Sequence, residues 1–236
     1  MTLNLMKLDW DSEFFGHTIA ELSGSVSRSG LEAVLNEAKK SSIELIQACV
    51  DLSDVDQINM LEENGFLFWE TKVTYEKKLS LEKKEKPQYI EAQENNVPAL
   101  QNIASQVFVD SKYYAVGFDK KKVDTLYEVW VEKAVKGTFD DFCLIHQDED
   151  DILGFITAKI LDKKTARIGL IGVDPRHQSK GTGTQLLLSL DAKLAEEGIE
   201  KIQVSTQGKN VVANNFYIKN SFYLKESHVW LYKKII

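Results

Sequence analysis

Ile171-Gly172-Val173-Asp174-Pro175-Arg176-His177-Gln178-Ser179-Lys180-Gly181-Thr182-Gly183-Thr184-Gln185-Leu186-Leu187-Leu188 decides the fold of this chain, because a hydrophobic strand runs into a glycine-punctuated turn and straight into an apolar helix. Gly181 and Gly183 lack the Cβ atoms that would block close approach, and the unpaired N–H groups of the first helical turn, with the helix dipole behind them, favour an anion. The stretch reads as a phosphate loop for a diphosphate. Spacing excludes two common loops. A nucleoside-triphosphate loop needs Lys and Ser or Thr directly after its last Gly, where Thr184 and Gln185 stand; the dinucleotide fingerprint needs Gly or Ala where Leu186 stands.

What remains is Gln-x-x-Gly-x-Gly, formed by Gln178, Gly181 and Gly183 after a strand ending in Val173-Asp174-Pro175. Downstream, Asn210-Val211-Val212-Ala213-Asn214-Asn215-Phe216-Tyr217-Ile218-Lys219-Asn220-Ser221-Phe222 reads as a short helix with a left-handed cap. The two motifs resemble those of the GCN5-related N-acetyltransferase (GNAT) superfamily, whose second motif is Asn-x-x-Ala-x-x-Phe-Tyr-x-Lys-x-Gly-Phe. Every named position matches except the penultimate Gly, which is Ser221; Asn220, which tolerates positive φ, is expected to make the turn.

The resemblance implies a mixed α/β (α+β-like) GNAT fold, a central twisted mixed sheet flanked by helices, with acetyl-CoA as co-substrate. It implies that the strand before the loop splays from its neighbour and receives the acetyl-pantetheine arm. On that basis Ile171 and Val173 would border the arm, with the Val173 N–H on the thioester carbonyl. Gln178, Ser179, Lys180, Gly181, Thr182, Gly183 and Thr184 would hold the pyrophosphate, Asn210 would contact the pantetheine side, and Phe216 is a further cofactor-binding position. Tyr217 is the implied general acid that protonates the departing thiolate. An ordinary Tyr near 10 against a thiol near 8.5 makes that transfer uphill by about 2 kcal/mol, a gap that narrows when the thiolate is desolvated. No base is assigned: Glu128, Asp140 and His146 are conceivable, and a water chain suffices for a low-pKa amine.

Composition agrees with a soluble globular protein: 236 residues, 43% hydrophobic and 28% charged, with a net charge of −7 that disfavours nucleic-acid and acidic-membrane partners. No apolar run has the length of a signal peptide or a membrane span, so a cytoplasmic location is expected. Cys49 and Cys143 sit in apolar strand-like runs and read as buried thiols, and no metal site is expected. Arg176, His177, Lys180 and Lys209 are candidates for the local positive potential that an anionic cofactor needs.

The charge-dense Leu79 to Pro87 stretch reads as a linker (81–87) between an N-terminal region (1–80) and an acetyl-CoA-binding domain (88–236). Before it, Leu31, Val34, Leu35 and Ala38 fall at helical spacing, Ile43 to Val50 is a strand, a helix from Asp54 stops at Asn64-Gly65, and a strand runs through Val73 and Tyr75. The C-terminal end repeats that order, with Asn64-Gly65-Phe66 matching Asn220-Ser221-Phe222. The first region therefore looks like a degenerate half-GNAT. Its Ser23 to Gly30 loop, with no strand pair recognised before it, is expected to be a flexible connection without a cofactor of its own. The β-rich Val229-Trp230-Leu231-Tyr232 could pair across a homodimer.

Leu8 to Gly16, Trp130 to Asp140, Thr165 to Leu170 and Trp230 to Tyr232 resemble the dTDP-fucosamine acetyltransferases, which acetylate the 4-amino group of dTDP-4-amino-4,6-dideoxygalactose. The acceptor implied is a small-molecule amine, a nucleotide-linked amino sugar first, another small amine such as an antibiotic or a peptide N-terminus second; a CoA-binding sensor without turnover is the third reading. That family tends to carry an Arg-Phe pair within Val109 to Gly117, absent here. Trp10, Phe14, Tyr113 and Tyr114 are the aromatic candidates for stacking on the acceptor.

Overall fold

The structure is a computed structural model that describes residues 3–79, 89–149 and 151–235; the linker read at 81–87 lies outside the described residues. The first segment contributes β1 (Asn4–Lys7), α1 (Asp9–Phe15), β2 (Ile19–Ser23), α2 (Arg28–Lys40), β3 (Leu45–Asp51), α3 (Val55–Glu63) and β4 (Leu67–Lys78). The second contributes β5 (Ile90–Glu91), α4 (Val97–Val107), α5 (Lys120–Val135), β6 (Phe142–Asp148), β7 (Asp151–Ile160), β8 (Thr165–Val173), α6 (Thr182–Glu196), β9 (Lys201–Gln207), α7 (Val211–Lys219) and β10 (Tyr223–Lys234).

Local chemistry accounts for these elements. Leu31, Val34 and Ala38 form the buried stripe of α2, and Ser27 caps it by accepting the Gly30 N–H. Asp54 and Asn210 cap α3 and α7 in the same way. The Ser23 to Gly30 loop thus ends in a helix cap, and an antiparallel pair, β1 with β2, does precede it. That pair escapes a periodicity reading because β1 is four residues long and mostly exposed.

The strands form one sheet in the order β1-β2-β3-β10-β4-β9-β8-β7-β6-β5. Pairings are mostly antiparallel, with parallel exceptions at β2–β3 and β8–β9. Helices cover both faces. On one, α2 and α3 pack over β2, β3 and β10, and α6 and α7 over β7 to β9. On the other, α4 and α5 enclose Phe155 and Leu170, while α1 and the turn at Lys112–Val116 close over Ile19, Leu45 and Trp69. Cys143 is buried and Cys49 half-buried, both free thiols.

The two segments do not build separate sheets; they exchange strands. The C-terminal β10 lies between β3 and β4, and β4 of the first segment pairs with β9 of the second. The β3-α3-β4 and β9-α7-β10 units recur with matching lengths at a constant displacement along the chain, so each unit hands its last strand to the other. Because β10 is hydrogen-bonded along both edges, it has no free edge for pairing across a homodimer. The turn after α7 also differs from expectation. The left-handed residue is Ser221 (φ 68°), not Asn220, and the matching position after α3 is Gly65 (φ 81°). A non-glycine residue there costs about 1 kcal/mol, and the Asn220 amide, which donates to Phe216 O at 2.8 Å, helps hold it.

Candidate active site

The parallel β8–β9 pair holds only from Thr165–Lys201 to Ile168–Val204, after which the strands part. The cause is a bulge: Ile156 pairs with Ile171 and Ala158 with Ile168, so Thr157 faces two residues, Gly169 and Leu170. The buried Asp140 carboxylate fixes it. Asp140 accepts the Thr157 hydroxyl at 2.6 Å and the Trp130 indole N–H at 3.0 Å, and Thr157 Oγ1 accepts the Leu170 N–H at 2.8 Å. A Cβ on Gly169 would stand 2.1 Å from Asp140 Oδ2, so only glycine fits. Asp140 is therefore an anchor and not a base.

Beyond the bulge, Asp174 N–H bonds Leu153 O on β7. By strand alternation the Val173 and Ile171 N–H groups point the other way, into the wedge where β9 has departed. The wedge leads to a cavity of about 610 Å³ whose lining includes Ile171, Asn210 and Tyr217. At its end the chain turns into α6. Ser179 (φ 60°) and Gly181 (φ 90°) take left-handed conformations, and the helix starts at Thr182 with no side-chain cap on its first N–H groups. Gly183 accommodates the Phe216 ring, which lies 3.1 Å from where its Cβ would be. Gln178 Nε2 donates to Val173 O at 3.2 Å and Thr182 Oγ1 to His177 O at 3.2 Å, which shape the loop. The donor set fits a diphosphate: open N–H groups, a helix N-terminus and Lys180, which has no ion pair among the described residues. Other cations expected here are neutralised locally. Arg176 is bidentate to Asp174, His177 faces Asp151, and Lys209 pairs with Asp110 at 2.7 Å.

Tyr217 is buried against Tyr75, Phe216 and Phe222 and lines the cavity. Burial pushes its phenol well above the usual tyrosine value, so it stays protonated, as a proton donor must. Asn210 borders the same cavity, but its Oδ1 is taken by the Ala213 N–H. Trp10, Phe14, Tyr113 and Tyr114 do not line it. Trp10 stacks on Phe14 (5.0 Å), Tyr113 is buried with its hydroxyl on Asp11 (2.7 Å), and Tyr114 bonds Asp124 (2.6 Å). The aromatic walls are Phe108, Tyr127, Trp130 and Trp230.

The lining also contains a residue that motif reading passes over. Glu70 projects from the exchanged strand β4 and accepts Gln207 Nε2 at 2.9 Å, whereas neither Glu128 nor His146 reaches the cavity. Desolvation raises the Glu70 carboxyl above the ordinary glutamate value, against the Lys112 and Lys209 charges and the Gln207 bond. A β4 bulge beside Trp230 explains its orientation: Glu70 pairs with Trp230 and Phe68 with Leu231, which leaves Trp69 as the extra residue, so Trp69 and Glu70 both serve the cavity-side face. Glu70 and Tyr217 thus reach one cavity from different halves of the chain.

The acetyltransferase (GNAT) family model matches residues 106–222, spanning the wedge, the phosphate loop and α7. The chain is also similar, at 28% identity over 96% of each chain, to the dTDP-fucosamine acetyltransferase of Escherichia coli O6:H1. This chain is a GNAT N-acetyltransferase. Among solved structures, a GCN5-related N-acetyltransferase from Sphaerobacter thermophilus superposes with a TM-score of 0.64 at 13% identity, covering 99% of this chain and 77% of that one. A tandem GNAT protein from the clavulanic acid biosynthesis pathway gives 0.61 at 13% identity, covering 94% and 76%. These two show the GNAT fold of the whole chain, first segment included. Among the described residues no helix is long and apolar enough to cross a membrane, and no acidic or His/Cys group is arranged to hold a metal.

Proposed function

We propose that this GNAT enzyme transfers acetyl from acetyl-CoA to the amino group of a nucleotide-linked amino sugar such as dTDP-4-amino-4,6-dideoxygalactose. The observation that carries the reading is the convergence of Glu70 and Tyr217 on one cavity at the mouth of the wedge. The near full-length similarity to a dTDP-fucosamine acetyltransferase supports the substrate class. Lys72 supports it too. This half-buried cation lines the cavity without a carboxylate partner among the described residues, and it suits the diphosphate of such an acceptor.

Acetyl-CoA supplies the activated acetyl thioester. Gln178 to Thr184 hold its pyrophosphate, and the Ile171 and Val173 N–H groups take the place of the lost β9 partners for its pantetheine arm, with Val173 polarising the thioester carbonyl. Glu70 removes the proton of the acceptor ammonium, directly or through one water, which frees the nitrogen lone pair to form the C–N bond. Its raised pKa makes it a stronger proton acceptor than an ordinary glutamate carboxylate. Tyr217 gives its proton to the thiolate as the C–S bond breaks, and the second proton shed by the acylated nitrogen returns the phenolate to phenol. The first segment then acts as a degenerate half-GNAT without a cofactor of its own: the position matching Tyr217 is Leu61, and Ser25 and Ser27 stand where the loop glycines would be.

The test is acetyl-CoA-dependent thiol release with dTDP-4-amino-4,6-dideoxygalactose, its 4-epimer, an aminoglycoside and a short peptide side by side. Release is expected with a dTDP-sugar; tight acetyl-CoA binding without release from any acceptor would sink the proposal. Tyr217→Phe should lower turnover at least about ten-fold while leaving acetyl-CoA affinity nearly unchanged, as calorimetry would report.

A further inference from the structure

Lys112 is the least expected charge in the molecule. Its ammonium lies 3.6 Å from the centroid of the Trp230 ring, 4.5 Å from that of Trp69 and 5.4 Å from that of Tyr113. It donates to Gln47 Oε1 at 3.2 Å, and its backbone carbonyl accepts the Trp69 indole N–H. No carboxylate forms an ion pair with it among the described residues. A desolvated cation without a direct partner is costly, and a structural lysine would be paired or surfaced. The faces of two tryptophans help keep this half-buried ammonium charged.

The charged and titratable groups around it narrow what that charge serves. The groups whose charge acts on Lys112 are the carboxyls of Glu70, Asp11 and Glu21 and the Cys49 thiol. Glu21 is engaged by the Gln47 amide at 2.9 Å and Asp11 by the Tyr113 hydroxyl at 2.7 Å. Glu70 is the cavity carboxyl among them, and it is the cross-strand partner of Trp230, the ring on which the ammonium sits. Around Glu70 stand Lys112, Lys209 and Asp110, with Gln207 as hydrogen-bond donor. Lys209 is already paired to Asp110, and Lys72 lies beyond Trp230 at 5.8 Å from its centroid.

We propose that Lys112 is a positioning residue for acetyl transfer: its boxed ammonium holds the desolvated Glu70 carboxyl ionised and therefore able to receive the acceptor's proton. This rests on Glu70 being the base in the reading above. Burial pushes the Lys112 amine down to about 8, so the supporting charge is present below about pH 8 and fades above it.

The test follows the Glu70 carboxyl by carbon-13 NMR in glutamate-labelled protein, with the resonance assigned through Glu70→Gln. In Lys112→Met, whose side chain fits the aromatic box, the Glu70 midpoint should rise by about one unit, and Lys112→Arg should keep it near the wild-type value. Lys112→Gln, which retains a polar end for Gln47, gives the same reading if the Met variant does not fold. An unchanged midpoint in a folded neutral variant overturns the proposal. The acidic limb of kcat/KM for dTDP-4-amino-4,6-dideoxygalactose should move upward together with the midpoint. A midpoint that moves while the limb stays overturns both the positioning role and Glu70 as base, and leaves only an electrostatic link between the two groups.

Discussion

Replacing Glu70 by Gln is expected to lower kcat/KM by roughly 10²–10⁴, the usual contribution of a positioned acid–base group, with acetyl-CoA affinity retained. The substitution keeps the shape and a hydrogen-bonding end for Gln207 but removes the proton acceptor. Wild-type kcat/KM should rise with pH through the Glu70 pKa, which desolvation sets above the ordinary glutamate value, and the variant should lose that limb. Stability should go the other way. A carboxyl whose folded pKa is raised contributes stability that is present at acid pH and lost as pH rises through the folded value. Glu70→Gln should therefore melt no lower than wild type at pH 7, and the two should differ less below about pH 4.5, near the unfolded value. An inactive variant that melts early would point to a structural role instead.

Residues 88–236 expressed alone should fail to fold and show no acetyl transfer. Removing the first segment strips β10 of both neighbours, β3 and β4, leaves β9 without its antiparallel partner, and deletes Glu70. Unpaired backbone groups along interior strands cannot be satisfied in a dry core, and the exposed edges invite aggregation. Co-expression of residues 1–80 with 88–236 should restore a cooperative melting transition and activity, because the exchanged strands need no covalent link to interlock. A soluble, active C-terminal fragment would show that the pairing across the halves is dispensable.

The sequence carries some of this plainly. The phosphate loop and the Asn210 to Phe222 helix are local motifs whose geometry follows from glycine, a helix N-terminus and a cap, and the structure places Ile171, Asn210 and Tyr217 on one cavity. Alternation and helical spacing also located most of the strands and helices that carry them. Pairing is a different kind of information. Hydrophobic periodicity says which residues face a core but not which strand lies alongside, so the passage of β10 between β3 and β4 was invisible, and Val229 to Tyr232 looked like a free edge. Glu70 was hidden for the same reason. It sits in Leu67–Lys78, far along the chain from every motif, and only the exchange brings it to Tyr217. The aromatic candidates Trp10, Phe14 and Tyr113 were legible as aromatic but not as core, since stacking on a ligand and packing on Phe15 and Phe118 demand the same residue types.

The strand exchange also bears on how the chain is made. A polypeptide emerging from the ribosome presents β3 and β4 long before β10 exists, yet the place between them belongs to residues 223–234, synthesised long after both. The first segment must wait as an incomplete sheet with a vacant central lane, and contacts so distant in sequence close slowly. Translation must therefore pass β10 before Glu70 and Tyr217 can share a cavity, and a chain truncated before β10 lacks the assembled cavity altogether.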